Sequence, residues 1–154
     1  MSILFLDHDG VLCLEQNWGT RQKNGEDFDS FDNKAIKVLN DIIRTTDCRI
    51  VISSDWRHHL SLEQALQMYE KRGIISRCLI GFTLVSYTNE GLEGNRINEI
   101  ESWLDLHNMK KAKYCAVDDM DLSALGGDHF VQCTHSREGI KQTGIKEKII
   151  KRLL

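Results

Sequence analysis

Five apolar runs recur along the chain, each followed by a polar cluster: ILFL (3–6), RIVI (49–52), CLIGF (78–82), YCAV (114–117) and HFVQC (129–133). Their apolar character is continuous rather than alternating, which predicts strands covered on both faces, as in a parallel sheet. Between the runs the spacing becomes helical. Ile36, Leu39 and Ile43 share one face of a first helix, and Leu62, Ala65, Leu66 and Tyr69 follow the i, i+3, i+4, i+7 pattern in a second. Ser61 and Gln64 form a capping-box pattern at the start of that second helix, and Gly73 closes it. Ile97, Ile100 and Leu104 mark a third helix; Ile145, Ile149 and Leu153 mark a C-terminal fourth. Strands alternating with helices predict βαβ units and an open, Rossmann-like parallel α/β sheet with helices on both faces.

Residues 14–32, LEQNWGTRQKNGEDFDSFD, fit neither period. They predict a long loop or small flap over the end of the first strand, since long loops in compact domains are often lids or binding loops. The chain contains no proline, and we find no internal repeat, low-complexity tract or linker, so residues 1–154 read as one domain.

Composition narrows the class. The 154 residues are 41% hydrophobic and 28% charged, the balance of an ordinary soluble protein long enough to bury a core. A formal net charge of -3 gives no basic footprint for nucleic acid, although local contact stays open. Cys13, Cys48, Cys78, Cys115 and Cys133 lie far apart with no CxxC pair. That argues against a zinc ribbon or disulfide framework and for reduced thiols in the cytoplasm. The N-terminus lacks a basic region, and Asp7 and Asp9 interrupt its apolar run, so no signal peptide is expected. No apolar stretch approaches the ~20 residues of a membrane helix. The expectation is a cytoplasmic protein with no membrane partner and no obligatory protein partner.

In a parallel sheet, ligands bind beyond the carboxyl ends of the strands. Three of the runs end in suitable groups: Asp7 and Asp9 after ILFL, Ser53 and Ser54 after RIVI, Asp118 and Asp119 after YCAV. If those strands are parallel neighbours, these side chains converge on one crevice. Two carboxylates about 4 Å apart repel by roughly 4 kcal/mol at an effective dielectric near 20. Several such pairs rival the ~5–15 kcal/mol stability of a whole domain. A Mg²⁺ ion relieves the repulsion, because it takes hard oxygen ligands and typically uses one or two carboxylates with water and phosphate. Serine hydroxyls and backbone amides beside it suit phosphate oxygens. The chemistry that fits is phosphoryl transfer with an aspartate attacking phosphorus.

Blander readings compete. A calcium-binding EF-hand loop beginning at Asp7 needs glycine at position six and glutamate at twelve, whereas here Gly10 comes at four and Trp18 at twelve. Arg57 reaches phosphate or pairs with a carboxylate. Trp56 and Trp103 read as packing residues, adjacent His58 and His59 make a poor metal site, and Lys146, Lys148, Lys151 and Arg152 read as a solvated helix face.

The ordered set "FLDHDGVL … VISSDWR … GNRINEIESWL … AVDDMD" resembles the haloacid dehalogenase (HAD) superfamily of aspartate-nucleophile phosphatases. More closely it resembles the small branch found in Swiss-army-knife RNA repair proteins, over Ile3 to about Gly144. The resemblance implies that Asp7 is the nucleophile forming an aspartyl-phosphate. It makes Asp9 the general acid and then base, its backbone carbonyl also binding Mg²⁺, with Gly10 permitting the turn. It gives Ser53 a hydrogen bond to the phosphoryl group, with Ser54 beside it, and Asp118 and Asp119 the positioning of Mg²⁺ directly or through water. The usual phosphate-clamping lysine has Arg96 as its best-placed counterpart, though the two side chains are not interchangeable. With only 14–32 available as a cap, the resemblance implies an open site for a phosphorylated substrate, a small molecule or a nucleic-acid end. The alternatives are a receiver-like module phosphorylated on Asp55, or a non-catalytic phosphate-binding module.

Overall fold

Strand β1 (Ser2–Leu6) is buried along its whole length, and the reason is its place in the sheet. The computed structural model describes residues 1–17 and 30–154. Its five strands, β1, β2 (Arg49–Ile52), β3 (Leu79–Phe82), β4 (Lys113–Asp118) and β5 (Phe130–Gln132), form one all-parallel sheet in the order β3-β2-β1-β4-β5. β1 is therefore central, which is why its apolar run is unbroken. The helices are α1 (Asn33–Thr46), α2 (Leu62–Lys71), α3 (Gly91–Leu106) and α4 (Ile145–Leu153). This is the α/β architecture that the alternating periods predict.

Alternation along β1 divides its side chains between two cores. Leu4 and Leu6 face a layer with Ile36, Leu39, Ile43, Met68 and Ile149, from α1, α2 and α4. Ile3 and Phe5 face Ile100, Trp103 and Leu104 of α3, where Phe5 meets Trp103 edge-on at 5.5 Å between ring centroids. Both tryptophans read as packing residues are buried. Local signals fix the helix ends. The Asp32 side chain accepts a bond from the Ala35 N–H to start α1, and Ser61 and Gln64 close a reciprocal capping box on α2.

Register decides what reaches the crevice. Leu6 pairs with Ile52 on one side and Val117 on the other, so Asp7, Ser53 and Asp118 come next on three adjacent strands. The ladder continues past β1: the Asp7 N–H donates to the Val117 carbonyl at 3.1 Å, and the Ser53 N–H to the Leu6 carbonyl at 2.9 Å. Of the predicted 14–32 flap, residues 18–29 lie outside the described residues. At its edges, Leu14 and Phe31 are buried, and Cys13 forms a bridge with Phe31. All five cysteines are buried and no disulfide joins them. Among the described residues, no helix is long and apolar enough to cross a membrane.

Candidate active site

The turn after β1 is built around the His8 carbonyl, which accepts N–H bonds from Val11, Leu12 and Cys13 at 3.2, 2.8 and 2.9 Å. Gly10 makes that turn with φ +79, a conformation costly for a side-chain-bearing residue. There is a second reason for glycine: a Cβ at this position would lie 2.5 Å from Asp119 Oδ2. The same turn sends His8 away from the carboxylates. Its ring is buried against Phe31, Trp56 and Tyr69, with Nε2 2.8 Å from the Tyr69 hydroxyl. Burial pushes the His8 pKa down to about 3, so the ring is neutral.

Asp7, Asp118 and Asp119 come together, with one carboxylate oxygen of each lying within 4.8 Å of the others. Asp7 and Asp118 are buried and Asp119 is exposed. Burial raises the Asp7 pKa well above the usual carboxylate range, and the negative charge of Asp118 adds to that. Asp118 is pushed up to about 6, first by burial, against the opposing pull of Arg96. Asp9 is half-buried and close enough to add to the repulsion on Asp7, but its carboxylate is not part of the group of three.

Arg96 projects from α3 into this group. Its Nη1 donates to Asp118 Oδ2 at 2.7 Å and stands 3.6 Å from Asp7 Oδ1. Four carboxylates, led by Asp118 and Asp7, outweigh the effect of burial and raise its pKa, so it stays charged. The three carboxylates outnumber the one guanidinium held against them, so the group is net negative when all are ionised and a cation would relieve its repulsion. The donors are hard oxygens, as Mg²⁺ requires. The residues therefore fit the ion.

The phosphate-binding candidates separate on inspection. Ser53 is buried, and its hydroxyl has no hydrogen-bond partner among the described residues. A buried hydroxyl left unpaired costs free energy, which a bound oxyanion would recover. Ser54 accepts the Trp56 N–H at 3.3 Å and so caps the short turn Asp55–His58. Arg57 takes the carboxylate option: its Nη2 donates to Glu99 Oε2 at 2.6 Å and its Nη1 to the Ser54 carbonyl at 2.9 Å. Asp55, the alternative phospho-acceptor, is 75% exposed at its side chain and outside the carboxylate group. His58 and His59 belong to no potential metal group among the described residues.

Glu99 is the residue that sequence reasoning passed over. It is buried, receives Arg57, accepts the Ser86 N–H at 2.8 Å and lies 3.7 Å from Arg96 Nε. The available signal was its spacing, because residues three apart on a helix share a face. Thr83 was missed as well. Its buried hydroxyl has no partner among the described residues, and its N–H extends the sheet by donating to the Ile52 carbonyl.

An all-parallel sheet with paired aspartates at two central strand ends and a guanidinium between them fits an α/β, Rossmann-like domain of the HAD type. The family model of the HAD domain in Swiss Army Knife RNA repair proteins matches residues 3–144, and the chain belongs to that family. The family places it in the hydrolase and phosphatase superfamily. No curated protein and no solved structure matches it significantly.

Proposed function

We propose that this chain is a Mg²⁺-dependent phosphomonoesterase that works through a phosphorylated Asp7. The observation that carries the reading is the meeting of Asp7, Asp118 and Asp119 within 4.8 Å, with the Arg96 guanidinium held against two of them. Asp7, Asp118 and Asp119 would hold the ion, which when bound offsets their charge and polarises a phosphoryl oxygen.

An Asp7 carboxylate oxygen attacks phosphorus, and the bond from phosphorus to the leaving oxygen breaks. Asp9 gives its proton to that leaving oxygen. Asp9, now ionised, then takes a proton from water, which attacks the aspartyl-phosphate, releases inorganic phosphate and regenerates Asp7. The unpaired Ser53 hydroxyl donates to a phosphoryl oxygen, while Arg96 stabilises the charge there and restrains Asp118. Ser54 caps the turn that follows Ser53, and Arg57, paired with Glu99, braces it through the Ser54 carbonyl.

The substrate is a phosphomonoester, and the family's place in RNA repair proteins makes a nucleic-acid end the leading candidate. The test is phosphate release from small phosphoesters, phosphopeptides and oligonucleotides bearing a 3′-phosphate, with Mg²⁺ or EDTA. Turnover should need Mg²⁺ and vanish in Asp7→Asn. Activity that survives Asp7→Asn overturns the nucleophile, and absence of turnover on the whole panel overturns the enzyme reading.

A further inference from the structure

Beside the carboxylate crevice, between the turn at Asp55–His58 and the start of α3, lies a second cavity of about 140 Å³. Arg96 is shared between its lining and the carboxylate group, which makes this cavity a neighbour of the proposed phosphate position. Its other walls include Val85, Tyr87, Leu92 and Met120. Tyr87 is 87% exposed and Leu92 79%, with Val85 and neighbouring Leu84 also exposed. Isolated exposed apolar residues need no explanation, but a group of them rimming a polar cleft marks a binding surface.

We infer that this cavity is the leaving-group subsite and takes a single purine or pyrimidine ring, stacked on Tyr87. The inference rests on the phosphomonoesterase reading above. Spacing favours a nucleoside over an aryl phosphate. Leu92 stands one turn before Arg96 on α3, about 6 Å along the helix axis between backbone positions. The apolar wall is therefore set back from the guanidinium's helix position rather than beside it. An aryl phosphate would put its ring against Arg96, whereas a sugar spans this offset and carries the base out to Tyr87 and Leu92. The polar side chain of Asn95, beside Arg96, also lines the cavity and suits the sugar or the base edge.

Charge sets how much of a strand is recognised. Both arginines that line the cavity are already engaged, Arg57 by Glu99 and Arg96 by Asp118. A nucleic-acid backbone is tracked by cations that neutralise successive phosphates, and here Arg57 is held by Glu99 while Arg96 serves the reacting phosphoryl group alone. Recognition is therefore of the terminal nucleotide, and it depends on stacking more than on strand length.

The test compares kcat/KM for a nucleoside monophosphate, a short 3′-phosphorylated oligonucleotide, ribose 5-phosphate and a phosphotyrosyl peptide. Wild type, Tyr87→Ala and Tyr87→Phe are assayed with each. Stacking on an aromatic side chain supports a loss of roughly five- to hundredfold on truncation to alanine. We expect Tyr87→Ala to lose that factor on both nucleotide substrates relative to its effect on ribose 5-phosphate, mainly in KM, and Tyr87→Phe to recover most of it. The mononucleotide and the oligonucleotide should differ little in KM. An equal effect of Tyr87→Ala on ribose phosphate and nucleotide overturns the subsite, as does a larger effect on the phosphopeptide. A steep gain in affinity with strand length overturns the single-nucleotide claim.

A second readout separates this inference from the catalytic one. Binding of a fluorescent nucleoside monophosphate to Asp7→Asn protein should weaken by the same factor when Tyr87→Ala is added. Tyr87-dependent binding without any turnover would sink the phosphatase and keep the subsite; turnover with Tyr87-independent binding would do the reverse.

Discussion

Arg96 Nη1 lies 2.7 Å from Asp118 Oδ2, joining a cation on α3 to a carboxylate at the end of β4 that is 22 residues away in sequence. Both partners are buried. Removing one member of a buried pair leaves the other uncompensated, at a cost on the order of 3–5 kcal/mol. Arg96→Ala should therefore lose about that much stability to urea in EDTA. It should also lose about a hundredfold or more in kcat/KM, as when one fixed donor to a developing oxyanion is removed.

Lys110 provides the control. Its Nζ pairs with Asp105 at 3.2 Å on the surface, with 68% of the side chain exposed. Lys110→Ala should stay within about 0.5 kcal/mol of wild type. Equal effects of the two replacements on phosphatase activity would remove Arg96 from its proposed clamping role.

Gly10→Ala should damage both the turn and the cation site. The left-handed backbone costs about 1–2 kcal/mol for a residue with a side chain. The added methyl would also have to displace Asp119, whose Oδ2 is 2.5 Å from its position. A thermal melt in EDTA would show the first loss. A smaller rise in melting temperature on adding Mg²⁺ would show the second, and an unchanged rise would separate Gly10 from ion binding.

The acidic group makes stability depend on pH in a definite direction. Burial raises Asp118 from 3.8 to about 6 in the fold, so its protonated form suits the native state better. The cost of ionising it is absent below about pH 4, grows between there and 6, and is complete above that, reaching about 3 kcal/mol. In EDTA, Asp118→Asn should gain stability relative to wild type as pH rises from 4 to 7, by up to that amount. Urea titrations at both ends check it, and a constant difference between the two proteins would exclude it.

His8 acts with the opposite sign. Its pKa falls from 6.5 to about 3 on burial, so the neutral ring stabilises the fold above pH 6.5 and that contribution is lost as the pH drops. The loss is about 1.4 kcal/mol per pH unit. His8→Gln should flatten the decline in stability between pH 6.5 and 4.5 relative to wild type. The Asp118 and His8 slopes partly cancel in wild type, so only paired comparisons reveal either one.

The fold was largely legible because hydrophobic period is a local property. ILFL, RIVI and YCAV read as strands covered on two faces, and they are the three central strands of the sheet. The capping box at Ser61 and Gln64 is also written within four residues. The pairing of Arg57 with Glu99 was less legible, because it joins side chains 42 positions apart and the sequence left phosphate and carboxylate equally open. Ser53 and Ser54 look alike in sequence, yet one hydroxyl caps a turn and the other is left unpaired, a difference set by backbone direction after β2.

The sequence alone determined the α/β alternation, the two aspartates of ILFLDHDG and the identity of the charges available to a site. Those follow from side-chain chemistry and periodicity, which need no neighbours. Tertiary structure decided the rest. Strand order and register set Asp7 beside Asp118, α3 brought Arg96 between them, and Glu99 drew Arg57 aside. Burial then gave identical carboxyl groups different proton affinities, because desolvation and the sign of the nearest charge depend on what the fold places around each one.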